Sequence, residues 1–189
     1  MRKIGVLVGS LSKRSYSQKV ANYLSKIVPS SLTLVQLQYN ILPFYNPDLE
    51  KQPPLEWQVF RTVVDQMAGL LIVTQEYNFS IPGGLKNALD VLSVPNPRPH
   101  IYQKPVLLLT DSAGERGGAN ANAHIQQSLR YMGMNVMNAF VTIGKVQEKF
   151  DANDQLIDPL LAKELQKTMA DFQKFVNHSV TKKNNAPSD

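Results

Sequence analysis

The chain contains no cysteine, which removes disulfides, thiolate metal sites and thiol nucleophiles from consideration. Its histidines, His100, His124 and His178, are too scattered along the sequence to suggest a metal cluster. No apolar run approaches the roughly 20 residues that a membrane span needs. Met1-Arg2-Lys3 leads straight into a strand-like run, without the apolar core of a signal peptide. A soluble cytoplasmic protein with no membrane partner is the expectation. Clustered charge of one sign is missing too. The formal net charge is +5, but the basic residues are spread along the chain and do not interleave with aromatics. That distribution argues against nucleic acid and suits a solvated basic surface or a small anionic ligand better.

What is present is an alternation. At 189 residues the chain has the length of one domain with a substantial core. Lys3 to Gly9 is a short apolar run ending in glycine, a buried strand. Ser15 to Val28 places Val20, Ala21, Leu24, Ile27 and Val28 on one stripe of helical period. Leu32 to Leu37 reads as a second strand. A proline-rich connection then leads to a helix carrying Leu55, Val59, Phe60, Val63, Val64 and Met67. Gly69 to Thr74 is a third, fully buried strand, with a helix from about Pro82 to Leu92 after it. Pro95 to Pro99 holds three prolines, which lack amide donors, and reads as a rigid connection. Pro105 to Thr110 is the fourth strand, Ala121 to Met132 a helix, and a fifth strand falls near Asn135 to Val141. The last helix runs from about Pro159 to His178.

Five such repeats of strand and helix predict an α/β protein with a parallel sheet covered on both faces. Right-handed crossovers reduce the choices to a few doubly wound orders, of which 2-1-3-4-5 is expected for five strands. A single domain over residues 1–180 and a polar, frayed tail over 181–189 complete the organisation. In this order the ligand crevice lies outside the ends of strands one, three and four.

The loops at those three ends are all unusual. After strand one, Ser10, Ser12, Ser15 and Ser17 stand beside Lys13 and Arg14 and open a helix. Ser15 or Ser17 serves as N-cap, but one cap does not account for four hydroxyls and two cations. Helix N-terminal amides with such neighbours suit a phosphate. The loop is not a P-loop, because no Gly-Lys-Ser/Thr ends it, and Gly5 and Gly9 lack the dinucleotide-binding spacing. After strand three comes Gln75-Glu76-Tyr77-Asn78-Phe79-Ser80-Ile81-Pro82-Gly83-Gly84. Backbone amides around Tyr77 and Asn78 suit the carbonyls of a flat heterocycle, and Tyr77 suits its aromatic wall. Pro82 is first-turn punctuation of the next helix. After strand four, Ser112-Ala113-Gly114 begins a glycine-rich loop that lets backbone approach a ligand closely.

Taken together, these motifs resemble the NADPH-dependent FMN reductase family of flavodoxin-like proteins. The resemblance is carried by Gly9-Ser10-Leu11 with Ser15 and Ser17, by Glu76-Tyr77-Asn78 with Ser80, Pro82, Gly83 and Leu85-Lys86-Asn87-Ala88, and by Asp90. Leu42-Pro43, Tyr45-Asn46 and the Ser112–Gly118 loop add to it. It implies a flavodoxin-like three-layer sandwich, bound FMN, and NADPH or NADH as hydride donor. The implied acceptor is a small molecule: a quinone, azo compound, free flavin or metal oxyanion. It also implies phosphate contacts from Ser10, Ser15, Tyr16 and Ser17, and ring contacts from Glu76, Tyr77, Asn78 and Ser80. Ser112, Ala113 and Gly114 would line the other side of the ring. A homodimer or homotetramer is implied as well. Family members often carry Arg where Ser12 stands, Asn where Ser17 stands and Pro where Gln75 stands. Arg14 is then the substitute cation.

Other readings of the same fold do less well. A flavodoxin-type electron carrier is usually strongly acidic, unlike this chain. A flavin-binding redox sensor differs from an enzyme only by lacking turnover. A receiver domain needs acidic residues where Gly9-Ser10 and Gln75 stand, and a serine hydrolase needs Gly-x-Ser-x-Gly, which is absent.

Overall fold

Strand residues alternate between two apolar faces, and this alternation divides the core. The computed structural model describes residues 1–95 and 98–184. Its elements are β1 (Arg2–Val8), α1 (Tyr16–Ile27), β2 (Leu32–Gln36), α2 (Leu55–Asp65), β3 (Gly69–Gln75), α3 (Gly83–Leu92), β4 (Pro105–Asp111), α4 (Ala119–Tyr131), β5 (Asn135–Val136), β6 (Val141–Ile143) and α5 (Pro159–Asn184). Every strand pair is parallel, in the order β2-β1-β3-β4-β5, with β6 also on β4. This is the expected doubly wound order.

Period-two side chains explain why both faces are apolar. Leu71 and Val73 of β3 point into one cluster with Val20 and Leu24 of α1 and Leu165, Met169 and Phe172 of α5. Leu70 and Ile72 point the other way, against Trp57 and Phe60 of α2, Leu85 and Leu89 of α3, and Ile125 and Leu129 of α4. The sheet is therefore the middle of three layers.

Two expectations need correction. The fifth strand is not continuous: β5 pairs Asn135 and Val136 with Pro105 and Val106, whereas β6 pairs Val141 to Ile143 with Leu109 to Asp111. Between them the Ala139 amide turns back to the Met137 carbonyl (2.8 Å). A six-stranded sheet thus fills five positions. The last helix also continues past His178 to Asn184. Residues 185–189, and Asn96 and Pro97 of the proline-rich connection, lie outside the described residues.

The proline-rich segment before α2 is fastened by polar groups. Asn87 of α3 accepts from the Tyr45 amide (2.8 Å) and donates to the Pro43 carbonyl (3.1 Å). Trp57 Nε1 donates to the same carbonyl (3.0 Å). Buried Arg61 grips Glu50 with both terminal nitrogens and donates Nε to the Val91 carbonyl. No helix among the described residues is long and apolar enough to cross a membrane.

Candidate functional site at the strand ends

The ends of β1, β3 and β4 lie side by side, so their three loops share one edge of the sheet. At the end of β1 the Gly9 amide donates to the Val73 carbonyl (2.8 Å). A Cβ at Gly9 would lie 1.9 Å from Thr74 Oγ1, so only glycine lets the loop leave this close to β3. The chain then winds through two serine turns: Ser10 Oγ accepts from the Ser12 amide (3.3 Å), and Ser12 Oγ from the Arg14 amide (3.2 Å). Ser12, Lys13 and Arg14 are exposed. Ser15 is the N-cap of α1, its Oγ accepting from the Gln18 amide (3.0 Å). The amides of Tyr16 and Ser17, in the first turn, make no hydrogen bond among the described residues, as helix geometry dictates. Two exposed cations, serine hydroxyls and open amides at a helix start are the donor set of an anion site.

Within that loop the residues divide. Tyr16 turns its ring toward the core on the α1–α5 side, under Lys19 Nζ at 4.6 Å. Its backbone amide remains at the loop. Ser17 is buried, and its hydroxyl faces inward, 2.5 Å from Asp111 Oδ2 and 3.2 Å from Gln75 Oε1. The phosphate contact expected of Ser17 is thus open to its amide, not to its side chain. Asp111 did not stand out in sequence, being the last residue of an apolar strand. It is 2 % exposed, and burial raises its carboxyl to a pKa of about 6, with the Ser17 hydrogen bond opposing.

The second loop is a closed turn. Tyr77 and Ser80 exchange backbone hydrogen bonds of 2.9 and 2.8 Å, with Asn78 at φ 50° and Phe79 at φ 60° between them. Two left-handed central residues make this a type I′ turn, which Asn tolerates and Phe accepts only under strain. The Tyr77 amide is therefore spent inside the turn. The amides facing outward are those of Asn78 and Phe79, unpaired among the described residues. Tyr77 and Phe79 are largely exposed. Behind them the Tyr39 hydroxyl donates to the Val8 carbonyl (2.6 Å), and burial first, then Tyr77, pushes its pKa to about 12.

Glu76 has a definite job. Its Oε2 accepts from the amides of Asn120 (2.9 Å) and Ala121 (3.0 Å), capping α4. Gly118, the N-cap of that helix, sits at φ 79° and has no side chain to do this. The side chain of Glu76 is an anchor, and only its backbone is available to a ring. Ser80 Oγ lies 3.1 Å from His124 Nδ1 of α4, a second link between the same two elements.

The third loop is held from β6. The Ser112 amide donates to the Ile143 carbonyl (3.1 Å), and the Lys145 amide to the Gly114 carbonyl (2.9 Å). Ser112 Oγ donates to the Gly114 carbonyl (3.1 Å). Ala113 and Gly114 are left exposed. Residues from all three loops thus meet on one edge: a cationic, hydroxyl-rich end at β1, a flat aromatic end with open amides at β3, and bare backbone at β4.

Residues 2–148 match the model of NADPH-dependent FMN reductases. The chain belongs to that family. Its sheet order and its likeness to solved flavodoxins give it the flavodoxin-like fold; a flavodoxin from Pseudomonas aeruginosa superposes with a TM-score of 0.57 at 15% identity. As a family member it is an oxidoreductase that uses FMN and a nicotinamide donor. A quinone reductase of Pseudomonas putida is 44% identical over 71% of this chain and 73% of its own length. A quinone reductase of Escherichia coli K12 is 39% identical over 79% and 81% respectively. Among solved structures, the flavoenzyme FerB of Paracoccus denitrificans, an NAD(P)H:(acceptor) oxidoreductase, has a TM-score of 0.87 at 29% identity. That match covers 95% of this chain and 99% of FerB. The donor set fits FMN: an anion cradle at one end, and open amides beside an exposed aromatic at the other.

Proposed function

We propose that this FMN reductase family member passes hydride from NADPH or NADH to a quinone, with FMN seated across the three strand-end loops. The single observation that carries the placement is the convergence of those loops on one edge, with an anion cradle and an exposed aromatic turn at its two ends. Bound flavin supplies the hydride-accepting and hydride-donating chemistry. The chain supplies position. Ser10, Ser12 and Arg14, with the amides of Tyr16 and Ser17 at the capped start of α1, take the phosphate. Ser15 fixes that start. The amides of Asn78 and Phe79 and the side chains of Tyr77 and Asn78 take the ring edge, on a turn that Glu76 and Ser80 moor to α4. Ser112, Ala113 and Gly114 face the ring from β4, and Gln75 stands at the base. Azo compounds, free flavin and metal oxyanions are further acceptors of the same open face.

A single domain over residues 1–180 in the cytoplasm, forming homodimers or homotetramers, belongs to the same proposal. Support for association comes from Tyr131, 92% exposed on a groove of about 400 Å3 between α3 and α4 that Lys86, Asp90 and Gln127 also line. The test is the absorption spectrum of the purified protein before and after FMN addition, then oxidation of NADPH and NADH with a quinone. A yellow complex with quinone-dependent turnover is expected. Failure to bind FMN, or binding without turnover, refutes it.

A further inference from the structure

Ser17, Gln75 and Asp111 come from the three different loop junctions and meet in one buried contact. Gln75 and Asp111 are register partners at the ends of β3 and β4, and Ser17 Oγ touches both, at 3.2 and 2.5 Å. Gln75 Nε2 is the one buried side-chain nitrogen or oxygen without a hydrogen-bond partner among the described residues. A serine hydroxyl has one proton to give, so it cannot donate to both neighbours at once.

Two arrangements place the serine proton, and only the first gives Gln75 Nε2 a partner. With Asp111 ionised, Ser17 donates to its Oδ2, and the Gln75 carboxamide turns over so that Nε2 donates to Ser17 Oγ. The orphaned nitrogen then has its partner, and the short 2.5 Å contact suits a hydroxyl on a carboxylate. With Asp111 protonated, the carboxyl donates to Ser17 and Ser17 donates to Gln75 Oε1. One proton on Asp111 reverses the direction of the whole chain of bonds.

We propose that Asp111, Ser17 and Gln75 form a proton-switched relay beneath the three loops, through which FMN binding is coupled to uptake of one proton from solvent by Asp111. The inference rests on the FMN placement proposed above. A phosphate held by the amides of Tyr16 and Ser17 adds negative charge on the Ser17 side of Asp111, which favours the protonated carboxyl. By linkage, protonation then favours FMN equally. The charged groups of the surrounding elements are engaged or exposed. Lys13 and Arg14 lie on the exposed part of the first loop, and Lys19 of α1 pairs with Asp154. Glu76 caps α4, and Glu115 of the third loop pairs with Lys145. Burial is the leading influence on Asp111, and the Ser17 hydrogen bond opposes it.

FMN dissociation constants, read by flavin fluorescence quenching between pH 5 and pH 8, test the coupling in wild-type and Asp111→Asn proteins. The FMN phosphate itself titrates near pH 6, so the Asn variant supplies the baseline for that ionisation. Relative to that baseline, wild-type affinity is expected to rise about threefold or more as pH falls, the signature of linked protonation. Parallel pH profiles overturn the relay. A carbon-13 NMR titration of the Asp111 carboxyl in wild-type protein covers the case of an unfolded variant. Its midpoint is expected to rise when FMN is added, and an unmoved midpoint is equally fatal. Wild-type protein that binds no FMN at any pH instead refutes the flavin placement, a separate failure.

Discussion

Replacing Glu76 by alanine separates an anchor from a ring contact. In the structure the carboxylate accepts from two backbone amides of α4, at 2.9 and 3.0 Å, with Asn120 Nδ2 further off at 3.4 Å. Removing a cap costs about 0.5–2 kcal/mol, and the lost attraction to the helix N-terminus adds about 0.3–1 kcal/mol. A loss near 2 kcal/mol is expected in the FMN-free protein. For a chain of this size that lowers Tm by about 4–8 °C. Glu76→Gln keeps an acceptor oxygen without the charge and should lose roughly half as much. Thermal unfolding by circular dichroism, with FMN stripped so that ligand binding adds nothing, is the assay. An unchanged Tm in Glu76→Ala would show that the carboxylate does not hold α4, and would return it to the ring.

Three other outcomes follow from the same geometry. Ser15→Asp keeps an N-cap but sets a carboxylate beside the phosphate cradle; FMN affinity should fall at least tenfold with the far-ultraviolet spectrum intact, and unchanged affinity would move the phosphate elsewhere. Asn78→Gly preserves the left-handed turn position while deleting the polar side chain. Stopped-flow bleaching by NADPH should slow by about tenfold, the rate equivalent of one hydrogen bond of 1.4 kcal/mol, with FMN retained, and wild-type bleaching would refute a ring contact for Asn78. The third concerns Asp111, whose pKa of about 6 lies above the unfolded value of 3.8. The native state then holds the proton more tightly, so FMN-free stability should fall as pH rises from 4 to 6, by roughly 2–3 kcal/mol at most. Urea midpoints across that range should lose this slope in Asp111→Asn; an identical slope in the variant would mean that another group is responsible.

Much of this was legible in the residues. The apolar runs ending at Val8, Thr74 and Thr110 are long enough and uniform enough to mark buried parallel strands. The fifth position was not, because Asn135, Asn138 and exposed Phe140 interrupt its pattern and leave two short pieces. The three loops stood out by composition, but composition does not say which way a side chain points. Ser15 and Ser17 look alike in sequence; only the helix start makes one a cap and turns the other inward toward Asp111. Glu76 carried a usable clue. Helix α4 begins at Gly118-Ala119 with no side-chain cap of its own, which leaves its first amides open to an acceptor from another element.

The turn from Tyr77 to Ser80 has a consequence for the thermodynamics of ligand capture. Its two backbone bonds and its link to His124 hold Tyr77 and Phe79 out toward solvent before any ligand arrives. The conformational entropy of ordering this segment, including the strain of Phe79 at φ 60°, is thus spent during folding. A planar ligand meeting the turn forfeits little further backbone freedom there, so more of its contact energy survives as affinity.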